Sequence, residues 1–201
     1  MSDMNRREAV GFLAAASLAS MAGWSPAQVE RVSRFMETVA ASGAAYQAKF
    51  FTQAEWETVR VLVDLIIPRD ERSGSATEAG VPQFMDFLML ERLDEQLPMR
   101  GGLAWLDAES RRRYGKPFVE AADQQRRSLL DDIAWPARAH PDLSHGVAFF
   151  NRFRDLTASG FWSSKIGVAD LGYQGNAVVG EWTGCPPAAL AKLGVSYEGG
   201  R

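Results

Sequence analysis

The sequence predicts an all-α protein that folds as a single compact helical domain, with an irregular, aromatic-rich C-terminal segment wrapping its surface. Three observations lead to this prediction. Apolar residues recur at helical spacing in several segments, proline or glycine separates these segments, and no segment shows the alternating pattern of a strand. The chain has 201 residues, of which 46% are hydrophobic, and it can therefore bury a core of its own.

Capping residues and prolines mark the first two predicted helices. Thr52 followed by Glu55 is a capping-box pattern, in which each residue satisfies a backbone donor of the other, and Pro68 ends the helix that follows. After a polar loop over Arg69–Gly80, Pro82 suits the first turn of a second helix. The apolar residues that point to the core are Trp56, Val59, Val63 and Ile66 in the first helix and Phe84, Phe87, Leu88 and Leu90 in the second.

Three further helices are predicted along the chain. Gly101-Gly102 is predicted to break the chain before a third helix over Leu103–Tyr114. Asp123 can cap a fourth helix, which a proline ends, and Asp142 or Ser144 can start a fifth. Their apolar faces are Leu129, Leu130 and Ile133 for the fourth helix and Val147, Phe150, Phe153 and Leu156 for the fifth.

The predicted domain organisation has three parts, namely residues 1–22, 23–49 and 50–201. The middle part is rich in Ala and Ser, and its amphipathic stretch over Pro26–Val39 predicts a linker or a loosely docked helix. The packed domain begins near Phe50. From Gly160 to Arg201 the chain is rich in Gly and Trp without a clear period, which predicts loops and short helices that wrap a surface.

The N-terminus has the layout of an export signal. A short polar start carries Arg6 and Arg7, a weakly apolar stretch follows over Ala9–Ala22, and small residues precede a cleavage point before Gly23. The adjacent arginines indicate the twin-arginine route, which exports folded proteins. The alternative is an uncleaved N-terminal helix that stays attached, in which case the chain would be a peripheral membrane or scaffold protein.

Composition narrows the classes of function. A formal net charge of −3 argues against a nucleic-acid partner, since such proteins carry a basic surface. A single cysteine excludes an internal disulfide, an all-thiolate iron–sulfur cluster and an all-thiolate zinc site. No apolar run reaches the roughly 18 residues that a membrane span requires.

The candidate catalytic groups are few. His140 and His145 are five residues apart, which is not the spacing that places two ligands on one helix face. Asp131 and Asp132 are neighbours on a predicted helix and point about 100° apart, so they are expected on a solvated face. The sequence therefore predicts a non-catalytic chain without a cofactor or metal site, and the alternative is a free-standing exported enzyme that uses His140 or His145.

Two features of the C-terminal part indicate contact with another protein. Cys185 lies between glycine and proline, which suggests an exposed loop and a disulfide to another chain, although a buried or idle thiol is the alternative. Aromatic residues in this part anchor an interface or cover the protein's own core, and both interpretations stay open. These candidate interface residues are Phe161, Trp162, Tyr173 and Trp182.

From about Phe50 to Tyr197 the chain resembles the gluconate 2-dehydrogenase subunit 3 family. The similarity consists of several short segments in the same order, of which the strongest lies between Phe149 and Asn176. The matching segments are Phe50-Phe51-Thr52, Ile66-Ile67-Pro68-Arg69, Gly80-Val81-Pro82, Arg100-Gly101-Gly102-Leu103, Asp131-Asp132-Ile133-Ala134, Gly160-Phe161-Trp162-Ser163-Ser164, Gly172-Tyr173-Gln174-Gly175-Asn176 and Trp182-Thr183-Gly184-Cys185-Pro186.

The resemblance implies a small subunit that does no chemistry itself. Its partner would be a large flavoprotein of the glucose–methanol–choline type, which carries FAD and often an iron–sulfur cluster, and a multihaem cytochrome c subunit would take the electrons. The small subunit would help its partner fold, and its leader would bring the pair to the twin-arginine translocase and so to the periplasmic side of the inner membrane. The resemblance also makes a disulfide from Cys185 to the large subunit plausible. The substrate stays open among glucose, gluconate, and glycosides or disaccharides.

Overall fold

The computed structural model describes residues 25–42, 46–173 and 184–197. Over these residues the chain forms eight α-helices and no strand, which confirms the all-α prediction. Short 3-10 turns at Phe118–Glu120 and Pro141–Leu143 lie on either side of the fifth helix. The helices are α1 (Pro26–Ser42), α2 (Gln53–Ile66), α3 (Val81–Glu91), α4 (Leu93–Tyr114), α5 (Asp123–Ala134), α6 (Ser144–Trp162), α7 (Lys165–Leu171) and α8 (Pro187–Leu193).

Local signals start and stop helices α2 and α3 as predicted. The Thr52 hydroxyl accepts from the Glu55 backbone N–H, and the Glu55 carboxylate accepts from the Thr52 N–H at 2.8 Å. Helix α2 ends at Ile66, two residues before Pro68. Helix α3 begins after Gly80, whose φ of 82° is a left-handed conformation that favours glycine.

The predicted break at Gly101-Gly102 is wrong, because α4 continues through both glycines. Gly102 is buried, and a methyl group there would overlap the ring of Phe149 on α6. Gly146 on α6 receives the ring of Trp105 from α4 in the same way. The two helices therefore each accept the other's aromatic ring, and the glycines serve this close approach rather than a chain reversal.

Helix α6 crosses the centre of the fold, in contact with α3, α4, α5 and α7. It begins at Ser144, as predicted, and continues to Trp162, well past the last predicted core residue, Leu156. The irregular C-terminal part of the domain accordingly starts later than Gly160. The side chains at the centre of the core, all essentially inaccessible to solvent, are Phe118, Phe153, Phe161, Leu62, Met85, Met89, Leu106, Leu129 and Ile133.

The amphipathic stretch near the N-terminus forms helix α1, which docks on α3. The Phe35 ring stacks on the Phe87 ring with centroids 4.4 Å apart, and Arg31 donates to Glu91 at 2.8 Å. Val32 is buried in the same contact. Of the eight helices in the described part of the chain, none has the length and apolar character that a membrane span requires.

Candidate functional site

The candidate interface aromatics occupy different environments. Phe161 is completely buried on α6, where its ring meets the half-buried Trp162 edge to face at 4.9 Å. Gly167 of α7 lies directly over the Phe161 backbone, so close that a side chain would not fit. Phe161 therefore belongs to the core of this chain, and the interface interpretation fails for it. Tyr173 is 41% exposed, and Trp182 lies outside the described residues, as do Arg6 and Arg7.

Cys185 lies at the surface, in a segment held by a local hydrogen bond. Its thiol is free in the described part of the chain and exposed, and its backbone N–H donates to the Tyr197 hydroxyl at 2.6 Å. Gly184 before it has a φ of 98°, and the Tyr197 ring packs against that glycine. Helix α8, which follows, has no buried residue. The thiol is therefore exposed to solvent in a segment that the hydrogen bond between Cys185 and Tyr197 holds in place.

The histidines and the paired aspartates all lie at the surface of the protein. His140 is exposed, and its Nδ1 accepts weakly from the Asp142 N–H at 3.3 Å. His145 is exposed in the first turn of α6. Asp131 and Asp132 are both exposed. In residues 25–42, 46–173 and 184–197, no three His, Cys, Asp or Glu side chains are grouped to hold a metal ion.

A cluster of charged residues joins the end of α4 to α5. Glu109 is 8% exposed, and it accepts from Arg112 at 2.8 Å and from Arg113 at 2.6 Å. These hydrogen bonds lower the pKa of Glu109 to about 2, and those from Arg112 have the largest effect. Burial acts in the opposite direction and raises the pKa. Arg113 also donates to Asp132 at 2.5 Å. The carboxylate is thus fully ionised near neutral pH and holds Arg113, whose hydrogen bond to Asp132 joins α4 to α5.

The same cluster borders an open cleft of about 470 Å³. The ring of Trp135 at the end of α5 is 60% exposed on its wall, beside the exposed Arg138. Three arginines and three aspartates line the cleft, so its lining carries little net charge. The lining residues are Arg112, Arg113, Asp131, Asp132, Trp135, Arg138, His140, Asp142 and Leu143.

The sequence analysis missed a buried carboxylate, Asp86 on α3, which has no exposed surface. Its Oδ1 accepts from the N–H groups of Phe50 and Phe51 at 2.9 and 3.0 Å. Its Oδ2 accepts from the Lys49 N–H at 2.8 Å and from the Tyr46 hydroxyl at 2.7 Å. Burial and the neighbouring carboxylate raise the pKa of Tyr46 well above its usual range. A single Asp within the most apolar helix was the signal that could have revealed this anchor.

Arg100 on α4 holds the same segment, residues 46–52, from its other side. Its guanidinium donates to both Glu55 oxygens at 2.8 and 2.7 Å and to the Phe50 carbonyl at 2.7 Å. It also lies over the Phe50 ring, 4.3 Å from the centroid. The groups of this cluster satisfy one another, so the arrangement fixes the segment that leads from α1 into α2. Its chemistry is that of a structural anchor.

A second feature that the sequence analysis missed is a patch of exposed leucines at the corner between α3 and α4. Leu90, predicted to lie in the core, is 41% exposed, and Leu93 and Leu97 are 72% and 81% exposed. Only Arg92 separates the two helices at this corner. We call Leu90, Leu93 and Leu97 the leucine patch. Helical spacing placed Leu90 on an apolar face, but it could not show whether another element covers it.

Comparison with known protein families gives a match. A family model described as gluconate 2-dehydrogenase subunit 3 matches residues 53–181, which include α2 to α7. The matched residues contain Asp86, Arg100, the leucine patch and Tyr173, while Cys185 follows the matched region. No curated protein and no solved structure gives a significant match.

Proposed function

Since the chain belongs to the gluconate 2-dehydrogenase subunit 3 family, we propose that it is the accessory small subunit of an exported, FAD-dependent sugar or sugar-acid dehydrogenase. The observation that carries the proposal is the family match over residues 53–181. In this arrangement the catalytic reaction belongs to a large flavoprotein subunit of the glucose–methanol–choline type. That subunit holds FAD and, in many complexes, an iron–sulfur cluster.

The role of this chain in the complex is to bind and stabilise its partner. The two buried carboxylates in the part of the chain that the structure describes support this assignment of roles, because each accepts hydrogen bonds from donors of the chain itself. Asp86 accepts from the 46–51 segment, and Glu109 accepts from two arginines. A multihaem cytochrome c subunit takes the electrons from the flavoprotein and holds the complex at the inner membrane. The substrate is a property of the large subunit.

Export gives the small subunit a second role. The twin arginines Arg6 and Arg7 direct the chain to the twin-arginine translocase, and the large subunit crosses the membrane bound to it. This route suits a flavoprotein, because the flavin is loaded before transport and the translocase accepts folded proteins. The complex then works on the periplasmic side of the membrane.

In the periplasm, Cys185 forms a disulfide with a cysteine of the large subunit. The exposure of the thiol on a tied turn supports this step, as does an oxidising compartment. The two thiols each lose a hydrogen to a periplasmic disulfide oxidant, which is reduced in exchange. A Cys185→Ser variant is expected to abolish the covalent heterodimer band on non-reducing gels. A band of unchanged intensity would exclude Cys185 as the linking residue.

The experiment that tests the proposal is purification from the native host through a tag on this chain, with a flavin absorbance spectrum of the eluate. We expect a stoichiometric yellow partner that oxidises a sugar or sugar acid with an artificial electron acceptor. The tagged chain without its partner is the control and should be colourless and inactive. Recovery of the chain alone from the host, colourless and without a partner, would overturn the proposal.

A further inference from the structure

The leucine patch at the α3–α4 corner is a group of large, solvent-exposed apolar side chains within the region that the family model matches. Leu93 and Leu97 lie one helical turn apart on the same face of α4, and Leu90 lies in the last turn of α3 just before them. Single exposed leucines are common, whereas several together mark interaction sites. We propose that this patch is the centre of the surface that binds the large flavoprotein subunit; the inference rests on the proposed function and assigns it a place on the chain.

The polar residues around the patch are already satisfied within the chain. Glu95 accepts from Arg152 at 3.1 Å and pairs with Arg92 at 3.2 Å. On the other side Arg31 pairs with Glu91 at 2.6 Å. A partner therefore needs no charged group to complete this surface. The arrangement is that of an apolar centre within a neutral polar rim, which is typical of protein–protein interfaces.

The corner is also rigid before any partner binds. The Gln96 side-chain amide donates to the Met89 carbonyl at 2.8 Å and so ties the first turns of α4 to the end of α3. Met89 and Met99 are buried beneath the corner. Because these side chains and the backbone are fixed in advance, little conformational entropy is lost when the leucines are covered.

The exposed area argues against a second copy of this chain as the occupant. The exposed parts of three leucine side chains amount to on the order of 200 Å². Two copies meeting through these leucines alone would bury roughly 400 Å², whereas a stable interface buries about 1,200 Å² or more. The patch therefore suits the centre of a larger interface with a different and larger protein.

The charges argue against a lipid surface. Adsorption to an anionic membrane relies on unpaired Lys or Arg beside the apolar face. Here Arg92 and Arg31 are paired with carboxylates, and Asp94, whose side chain is 76% exposed, lies next to Leu93. A protein surface with an apolar depression is the occupant that this chemistry fits.

The test compares binding of the purified flavoprotein subunit to variants of the full chain. All variants carry Cys185→Ser, so that noncovalent affinity is measured. In this background Leu93→Gln with Leu97→Gln should weaken binding roughly 100-fold, since each covered leucine contributes about tenfold. Gln keeps helix propensity, and both sites are exposed, so the melting temperature should not change. Leu93→Met with Leu97→Met should bind like the parent chain.

Trp135→Ala is the matched control, because Trp135 is 60% exposed but lies near Arg112 and Arg113 at the other end of α4, about 30 Å from Leu93 along the helix. It should bind normally. If the Gln variant binds like the parent, or if the Trp135 variant weakens binding equally, the assignment of this surface is wrong. Should the Gln pair impair folding, Leu97→Gln alone, expected to bind roughly tenfold more weakly, decides the question. A parent chain that does not bind the flavoprotein at all would instead overturn the proposed function.

Two further measurements test the other occupants. Liposome flotation with anionic vesicles should leave the parent chain in the soluble fraction. Sedimentation should give the isolated parent chain as a monomer. Flotation or dimerisation that the Gln pair abolishes, together with unchanged flavoprotein binding, would assign the patch to lipid or to a second copy and overturn the inference.

Discussion

Replacing Asp86 by Asn tests whether the buried carboxylate anchors the 46–51 segment. The change keeps the size of the side chain but replaces one carboxylate oxygen by an amide. If the remaining oxygen keeps the N–H groups of Phe50 and Phe51, the new amide points its hydrogens at the Lys49 N–H, and a donor then faces a donor. The Tyr46 hydroxyl can rotate to accept instead.

The cost follows from these contacts. Hydrogen bonds to a charged group contribute about 1.5–3 kcal/mol each, and a buried donor without a partner costs about 1–3 kcal/mol. The variant loses one charged hydrogen bond outright, and the others become neutral. We therefore expect a loss of about 3 kcal/mol in the free energy of unfolding, which lowers the melting temperature by roughly 6–12 °C for a domain of this size.

The assay is urea unfolding followed by circular dichroism, with the exposed Asp94→Asn as the control. The control should stay within about 0.5 kcal/mol of the parent chain. Hydrogen exchange adds a local readout, because the amides of Lys49, Phe50 and Phe51 should lose protection in the Asp86 variant. An Asp86→Asn chain that unfolds within 0.5 kcal/mol of the parent, with these amides still protected, would refute the anchoring role.

Three other predictions concern packing, pH and export. Gly102→Ala should destabilise the protein by about 3 kcal/mol, because a methyl group there overlaps the Phe149 ring. Gly101→Ala, where a methyl group meets nothing within 4 Å, should instead stabilise the protein by about 0.5–1 kcal/mol. Equal melting temperatures of the two variants would contradict the packing. Glu109 has a folded pKa of about 2, below its ordinary value of 4.5, so its stabilising effect is complete above pH 4.5 and is lost as the pH falls towards 2. Melting curves should show that Glu109→Gln costs about 1 kcal/mol at neutral pH, a modest figure because one partner arginine is exposed, and that the difference vanishes in acid. Arg6→Lys with Arg7→Lys should leave dehydrogenase activity in the cytoplasm, and normal periplasmic activity would contradict twin-arginine export.

The segment between α1 and α2 is an irregular stretch of chain whose backbone groups bond to side chains from other helices. Residues 46–52 have no helical hydrogen bonds of their own, and Asp86 from α3 and Arg100 from α4 replace them. A buried backbone donor without a partner is costly, so the carboxylate and the guanidinium make this path possible. Tyr46, whose hydroxyl donates to Asp86, also meets the Phe35 ring of α1 edge to face at 6.0 Å, and α1 itself places Arg31 beside Glu91 at the edge of the leucine patch.

For the candidate interface residues, the sequence predicted the exposure of some, and only the packing of the helices decided the exposure of others. Glycine and proline around Cys185 predicted an exposed turn, and the structure places the thiol at the surface. The aromatic residues could not be sorted from the sequence, because Phe161 and Tyr173 occur in similar Gly-rich surroundings. Helix α7 covers the backbone of Phe161, whereas Tyr173 stays partly exposed.

The sequence by itself determined the helical class and several of the points where helices begin and end, such as Thr52 and Pro68. These depend on hydrogen bonds and steric limits among residues a few positions apart, which a short window of sequence contains. Only the tertiary structure decided that α4 passes through Gly102, that Asp86 is an anchor and that Leu97 is exposed. Each of these depends on the presence or absence of a neighbour from a distant part of the chain, which local patterns do not specify.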